Sequence, residues 1–268
     1  MGRRPRTICE GAVHHTIQRG NNRAYIYKEP EDKHKFLTLL GSVRDEYRFH
    51  ILYYVLMDNH YHLLLKAGET PIWKAMQKLN VTYSKYYNWK YERTGGIYEG
   101  RYGALDVNGD RHFYQIIKYL AYNPVDAGLA DSPEMYRWSA HNELSEQKER
   151  LLDRDELLSY FGPTRKEALD AYASLFNSQI YDKAALDLLR IKEIKGEDEA
   201  LLYLLKIQEC TQNDYERILR GDKTPAVRRK RDVFIREAAT AGFTTNSIAE
   251  FLQCSLSTVT RIRNEQTV

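Results

Sequence analysis

Two spacings of hydrophobic residues alternate along the first 145 positions of the chain. Strand-like runs of apolar and β-branched residues are predicted at 11–18, 49–56, 60–67 and 101–107. Apolar residues at helical spacing predict helices at 31–48, 70–93 and 110–122. The order β-α-β-β-α-β-α is that of a ferredoxin-like sheet (βαββαβ) with one extra helix, so we predict an α+β fold whose antiparallel sheet leaves one face open for a site.

Turn and capping residues set the expected ends of these elements. Residues 57–59 join two strands and predict a hairpin. Thr70 is the predicted N-cap of the second helix, with Pro71 at its first position. The third helix is predicted to end at Asn123, because the residue before a proline such as Pro124 avoids the helical region.

Beyond residue 145 the pattern is charged and helical, and no strand is evident. Its last part resembles a helix-turn-helix, with the small residue Ala249 where two helices cross, a turn at 253–255 and a second helix from about Ser257. Small helical hairpins without DNA partners have the same pattern. The predicted DNA-binding residues of this part are Arg228, Arg229, Lys230, Thr258, Thr260, Arg261 and Arg263.

These patterns divide the chain into three predicted domains. We predict a catalytic domain at 1–145, a helical connector at 146–222 and a helix-turn-helix DNA-binding domain at 223–268. With 268 residues, of which 43% are hydrophobic, the chain is long enough to form substantial cores.

Composition narrows the class of protein. No apolar run is long enough to cross a membrane and no signal peptide is evident, so we expect a cytoplasmic protein without a membrane partner. Cys9, Cys210 and Cys254 are far apart and are predicted to be free thiols. The net charge of +3 is small, but many of the 21 tyrosines are close to basic residues, which suits stacking on unpaired bases as well as the buried side of amphipathic helices.

Candidate chemistry begins with His60 and His62. A His-x-His pair on a strand directs both imidazoles to one side, which is a geometry of metal sites, and the apolar neighbours predict a buried strand in which unpartnered imidazoles would be costly. Tyr119 and Asn123 are four residues apart on the third helix and therefore lie on one face, one turn apart. On helical spacing alone, Tyr119 would equally be a core aromatic residue.

Three ordered motifs give a more specific resemblance. They are the segments 56–64 (LMDNHYHLL), 100–102 (GRY) and 119–129 (YLAYNPVDAGL). Together they resemble the Y1 single-tyrosine transposases of the IS200-like superfamily, and most closely the REP-associated tyrosine transposases. The resemblance extends over about residues 8–141, including the turn at 18–23 (QRGNNR).

The resemblance implies an HUH endonuclease that transposes and recombines single-stranded DNA. It implies that His60 and His62 bind the metal ion, that Asn123 is the third metal-binding residue, and that Tyr119 is the nucleophile that forms a 5′-phosphotyrosine. The residue types suit Mg²⁺ or Mn²⁺, because imidazoles, an amide and phosphate oxygens favour a hard to borderline cation. The implied substrate is a DNA hairpin with unpaired flanks.

Basic and polar residues near the strand ends are predicted to bind this DNA, and duplex DNA is a further candidate for the C-terminal domain. The predicted contacts in the first domain are Arg19, Asn21, Asn22, Arg23, Arg101 and Tyr102. Two alternatives remain open: a non-catalytic DNA-binding regulator that uses the helix-turn-helix, and a metal-dependent hydrolase in which water is the nucleophile. Both a monomer and a homodimer are compatible with the sequence.

Overall fold

A four-stranded antiparallel sheet organises the first part of the protein. In the computed structural model, which describes residues 10–107, 109–145, 151–177, 188, 191, 196–208 and 210–265, its strands are β1 (Val13–Arg19), β2 (His50–Leu56), β3 (His60–Lys66) and β4 (Gly103–Val107). Their order is β2-β3-β1-β4, and every neighbouring pair is antiparallel. The predicted α+β fold with a ferredoxin-like sheet is confirmed.

Two long helices cover one face of the sheet. They are α1 (Pro30–Tyr47) and α2 (Ile72–Lys90). The ring of Tyr61 on β3 lies 4.7 Å from that of Phe36 on α1, and its hydroxyl donates a 2.6 Å hydrogen bond to Asn80 of α2. Because side chains alternate along a strand, His60 and His62 project from the opposite face.

The third helix, α3, runs from Asp110 to Asp126 with Pro124 inside it, so the prediction that it ends at Asn123 is wrong. Proline disfavours a helical conformation in the residue before it but does not forbid it. The Ala127 amide donates to the Asn123 carbonyl in the helical pattern, and the Leu129 amide donates to the Pro124 carbonyl just after the helix ends. Asn123 is therefore held within the helix rather than at a loose end.

Two other predicted boundaries change. The N-cap of α2 is Pro71, and no side chain caps this helix, so the prediction for Thr70 is wrong. The fourth strand begins at Gly103, which leaves Arg101 and Tyr102 just before it. The predicted hairpin at 57–59 is present, with the Met57 amide donating to the His60 carbonyl.

The chain divides into two compact units. The first contains 1–108 and 116–179, and the second contains 109–115 and 180–268. The first unit continues after α3 with α4 (Ala140–Ser145), α5 (Arg154–Leu158) and α6 (Arg165–Asn177). Short 3-10 helices lie at Asn21–Arg23 and Pro133–Met135. The division into domains at 145/146 and 222/223 stays a proposal.

Among the described residues of the second unit, the regular secondary structure consists of helices. After the start of α3 it contains α7 (Glu197–Ile207), α8 (Gln212–Leu219), α9 (Pro225–Thr240), α10 (Thr245–Phe251) and α11 (Leu256–Asn264). Its core is built from fully buried apolar side chains of these helices, among them Phe234, Ile235, Ile248, Val259 and Ile262. Thr244 and Ser255 cap α10 and α11 through their side-chain oxygens.

Two composition-based expectations can be compared with these residues. Within the described ranges, no helix has the length and apolar character needed to cross a membrane. Cys210 and Cys254 are free thiols, as predicted, whereas Cys9 lies outside the described residues.

Candidate active site

The two histidines of the His-x-His pair lie side by side on β3. The strand register pairs His60 with Arg19 and His62 with Ile17 on β1. Their ring centroids are 5.0 Å apart, and the ring planes are nearly perpendicular at 81°. His62 is only 1% exposed, while His60 is half-buried. One imidazole is therefore shielded from solvent and the other lies toward the surface.

Helix α3 brings Tyr119 and Asn123 to this pair. The Tyr119 ring lies 5.6 Å from the His62 ring in an edge arrangement, and the residue is 3% exposed. The Asn123 side-chain nitrogen Nδ2 lies 3.5 Å from Nε2 of His62. Tyr122, by contrast, lies near Phe176, with ring centroids 6.3 Å apart. The four residues predicted for catalysis and metal binding thus come together on one face of the sheet.

The donor set suits a divalent cation. The metal-binding atom of an amide is its oxygen, Oδ1, and the Asn123 amide group lies beside the imidazole, with its nitrogen Nδ2 3.5 Å from His62 Nε2. Among the residues that the structure describes, no group of three His, Cys, Asp or Glu side chains is placed to hold a metal ion. An ion here would rest on two imidazoles and the Asn123 amide, with phosphate or water oxygens added.

The surroundings of His62 keep its imidazole neutral. Burial lowers the pKa of His62 well below 6.5, and the positive charges that His60, His15 and Arg19 can present lower it further. A neutral imidazole is the form that binds metal ions. Arg19, which is close enough to disfavour a proton on His62, is also close enough to attract an anion to this face.

This shift predicts a pH-dependent loss of stability. Below pH 6.5 the unfolded chain protonates His62 but the folded chain does not, so stability is complete above that pH and declines as the pH falls. Between pH 7 and pH 5 the decline from this residue is at most about 2 kcal/mol. Urea unfolding at several pH values measures this decline. The proteins compared are the wild type, His62→Gln and the control His34→Gln, which replaces an exposed histidine. Equal pH slopes for the wild type and His62→Gln would contradict the buried, neutral state of His62.

The predicted DNA-binding turn after β1 lies beside the histidines. Asn21, Asn22 and Arg23 form an exposed 3-10 helix, in which Asn22 and Arg23 have left-handed φ values of 51° and 59°. The Gly20 amide donates to the Asn59 carbonyl at 2.8 Å, and Asn59 Nδ2 donates to the Arg23 carbonyl at 3.2 Å. These bonds fix the turn against the residue that precedes His60.

Gly20 leaves no room for a side chain in this turn. A Cβ atom at this position would lie 2.1 Å from the Ala24 carbonyl oxygen and 2.9 Å from Ile26. We expect Gly20→Ala to destabilise the protein by about 1–3 kcal/mol, as crowding of a packed site does. Gly96→Ala is the matched control, because a Cβ atom there has no neighbour within 4 Å. Thermal unfolding would contradict this reading if both variants melted together with the wild type.

The other predicted contacts of the first unit differ in exposure. Arg101 is exposed, whereas Tyr102 is 7% exposed. Burial raises the pKa of the Tyr61 phenol, and the nearby Tyr102 raises it further. Tyr61 itself faces α1 and α2. Little of the Tyr102 ring is therefore available for stacking on a base, while the Arg101 guanidinium is accessible to a phosphate.

The predicted contacts of the second unit lie on α9 and α11. Arg228 and Arg229 are exposed, while Lys230 is ion-paired with Asp214 at 2.6 Å. The hydroxyls of Thr258 and Thr260 bond within the start of α11, to Ser255 and to the Leu256 carbonyl. Arg261 pairs with Glu265, and Arg263 bonds Thr245. Arg228 and Arg229 are thus the most accessible cations of this set.

Two residues of the site were missed by sequence reasoning. His15 on β1 is 2% exposed, and its Nε2 lies 3.0 Å from Nδ1 of His62. Asn59 Oδ1 accepts a 2.6 Å hydrogen bond from Nδ1 of His60. The alternation of β1, which places His15 on the same face as Arg19, was the available signal for the first. Asn59 was interpreted only as a turn residue.

Comparison with known proteins gives one family. Residues 10–123 match the family model described as "Transposase IS200 like". Among solved structures, the chain is similar to one described as a REP-associated tyrosine transposase bound to a REP hairpin. That likeness has 15% sequence identity and a TM-score of 0.46, and it covers 55% of this chain and 87% of that chain. No curated protein matches the chain.

Proposed function

We propose that this chain, of which residues 10–123 match the family model described as "Transposase IS200 like", is a metal-dependent transposase that cleaves and rejoins single-stranded DNA through Tyr119. The observation that carries the proposal is the convergence of His60, His62, Tyr119 and Asn123 on one sheet face. A phenol beside two imidazoles and an amide provides both a nucleophile and ligands for a cation.

The proposed step is a transesterification at phosphorus. The Tyr119 phenolic oxygen forms a bond to the phosphorus atom, and the bond from phosphorus to the 3′-oxygen of the preceding nucleotide breaks. The phenolic proton leaves to water, and the departing 3′-oxygen takes up a proton to give a free 3′-hydroxyl. The 5′-phosphotyrosine keeps the energy of the phosphodiester, so that a 3′-hydroxyl can reverse the reaction and rejoin DNA without ATP.

His60, His62 and Asn123 are the proposed metal-binding residues. A bound Mg²⁺ or Mn²⁺ would polarise the scissile phosphate and offset the charge that develops on it. The buried position of His62 excludes water from one side of the site and keeps its imidazole available as a ligand, because its pKa is low.

The proposed substrate is a DNA hairpin with unpaired flanks, in keeping with the resemblance of the three motifs to REP-associated tyrosine transposases. Arg19 lies next to His60 through the β1–β3 register, and Arg23 lies in the turn that Asn59 anchors. We propose that their guanidinium groups contact phosphates of the bound DNA. Exposed aromatic residues of the same unit, such as Tyr25, offer surfaces for unpaired bases.

One experiment tests the proposal against its alternatives. The full chain is incubated with labelled hairpin DNA and Mn²⁺, and the products are separated on a denaturing gel. A labelled protein adduct together with a free 3′-hydroxyl product supports the transposase. Cleavage without an adduct would favour the hydrolase, and binding without cleavage would favour the non-catalytic regulator.

We further propose that the helices after residue 223 bind duplex DNA as a helix-turn-helix, through phosphate contacts from α9 and α11. Arg229→Ala is expected to weaken duplex binding and to reduce the slope of log K against log salt by about one. Lys230→Ala is the matched control on the next residue, and its effect should be smaller because Asp214 already pairs with this ammonium group. Equal losses in both variants, measured by fluorescence anisotropy, would contradict the assignment of Arg229.

A further inference from the structure

Neither histidine of the His-x-His pair stands alone: each has a polar neighbour on its Nδ1 atom. We propose that Asn59 and His15 are positioning residues that hold His60 and His62 as Nδ1-protonated tautomers, so that the lone pair of each Nε2 is presented to the cation. Positioning the imidazoles for a cation matters only in the proposed function, so the inference rests on that function. Its physical content, the protonation of two ring nitrogens, can be measured without any reaction.

The contact with Asn59 determines which ring nitrogen of His60 carries the proton. Asn59 Nδ2 donates to the Arg23 carbonyl at 3.2 Å, which directs the amide oxygen Oδ1 toward His60. That oxygen lies 2.6 Å from His60 Nδ1. An amide oxygen only accepts hydrogen bonds, so His60 Nδ1 must carry the proton. In a neutral imidazole the lone pair is then on Nε2.

The contact at His62 leads to the same tautomer. His15 Nε2 and His62 Nδ1 are 3.0 Å apart, so one of these two nitrogens donates and the other accepts. On the other side of the ring, the Asn123 amide nitrogen lies 3.5 Å from His62 Nε2. A lone pair on Nε2 can accept a hydrogen bond from that N–H group, whereas a proton on Nε2 would repel it. Nδ1 of His62 is therefore the donor and His15 the acceptor.

Burial makes the His15 contact the determinant of the orientation of His62. The two residues are 2% and 1% exposed, so water is a poor substitute for either partner. Their rings are nearly parallel, at 22°, with centroids 5.2 Å apart, and this packing resists rotation of the His62 ring. Hydrogen-bonded partners of ligating histidines typically change metal affinity by about 10–100-fold when they are removed.

The tautomers are tested in the metal-free protein by proton–nitrogen correlation spectra of ¹⁵N-labelled histidine side chains. We expect protonated Nδ1 and unprotonated Nε2 for both His60 and His62 in the wild type. Protonated Nε2 at either residue of the wild type would overturn the proposal for that residue. This measurement needs no variant to fold and no DNA.

Matched variants then test what each partner does. His15→Leu removes the acceptor at similar volume, and His15→Gln keeps an acceptor oxygen; a parallel variant, Asn59→Leu, removes the acceptor for His60. We expect Mn²⁺ binding, followed by electron paramagnetic resonance, to weaken about 10–100-fold in both leucine variants and to recover largely in His15→Gln. Unchanged Mn²⁺ affinity in a folded His15→Leu protein would overturn the role of His15.

Different results would contradict the transposase proposal and the proposal that Asn59 and His15 position the two imidazoles. A wild type that shows the expected tautomers but forms no DNA adduct contradicts the transposase and leaves the positioning role intact. A wild type that forms the adduct while His62 is protonated on Nε2 contradicts the positioning role alone.

Discussion

Replacing Tyr119 with phenylalanine is expected to abolish the covalent protein–DNA adduct and to slow cleavage of hairpin DNA by at least about 1,000-fold. The change removes only the phenolic oxygen, which is the proposed nucleophile, and retains the ring that contacts His62 and His15 by its edge. Because nucleophile variants retain only the catalysis that binding and electrostatics supply, the loss should be in the rate of cleavage rather than in DNA binding.

The neighbouring tyrosine provides the control for that experiment. Tyr122→Phe removes the same atom from the same helix, but its ring lies beside Phe176 rather than beside the histidines. It should form the adduct at the wild-type rate. A denaturing gel of wild type, Tyr119→Phe and Tyr122→Phe with labelled DNA and Mn²⁺ separates the cases. An adduct that persists in Tyr119→Phe would contradict the assignment of Tyr119 as the nucleophile.

Local sequence patterns predicted the sheet and its helices because each element obeys a short-range rule. The period-two pattern of β1 and the continuous apolar residues of β2 and β3 specify strands, and the turn at 57–59 forces their pairing. Long-range information was needed for the strand order. It followed from the βαββαβ sequence of elements, which has few right-handed, antiparallel solutions.

The same rules failed at Thr70, where no side chain caps the helix, and at Pro124, where tertiary packing outweighs a local preference. Pro124 is buried within α3, so its place in the core stabilises a helix that the dipeptide rule would end. This difference matters for the site, because the extra turn keeps Asn123 in helical geometry. Its amide thereby stays one turn from Tyr119 and 3.5 Å from His62.

The candidate site was only half accessible to sequence reasoning. His60 and His62 are two positions apart on one strand, and Tyr119 and Asn123 are one helical turn apart, so periodicity grouped each pair. The contact of His15 with His62 joins residues 47 positions apart and depends on the register in which Ile17 opposes His62. A slip of one residue in that register would turn His15 to the other face, and no local pattern specifies against it.

Replacing His62 with glutamine is expected to weaken Mn²⁺ binding by more than about 100-fold and to reduce DNA cleavage in proportion. His62 contacts four other residues of the proposed site: His15 at Nδ1, Asn123 at Nε2, and the rings of His60 and Tyr119. Its loss removes a direct ligand, which costs more than the loss of an outer partner such as His15.

Two further variants are compared with His62→Gln for their Mn²⁺ affinity. Asn123→Ala should weaken Mn²⁺ binding less than His62→Gln, because water can replace a single amide ligand at a half-exposed position. His34→Gln changes an exposed histidine on α1, so it should leave Mn²⁺ affinity unchanged. Titrations followed by electron paramagnetic resonance give the order directly. If His62→Gln bound Mn²⁺ as tightly as His34→Gln, the cation would have to bind elsewhere, and the two imidazoles of β3 would be structural groups of the sheet.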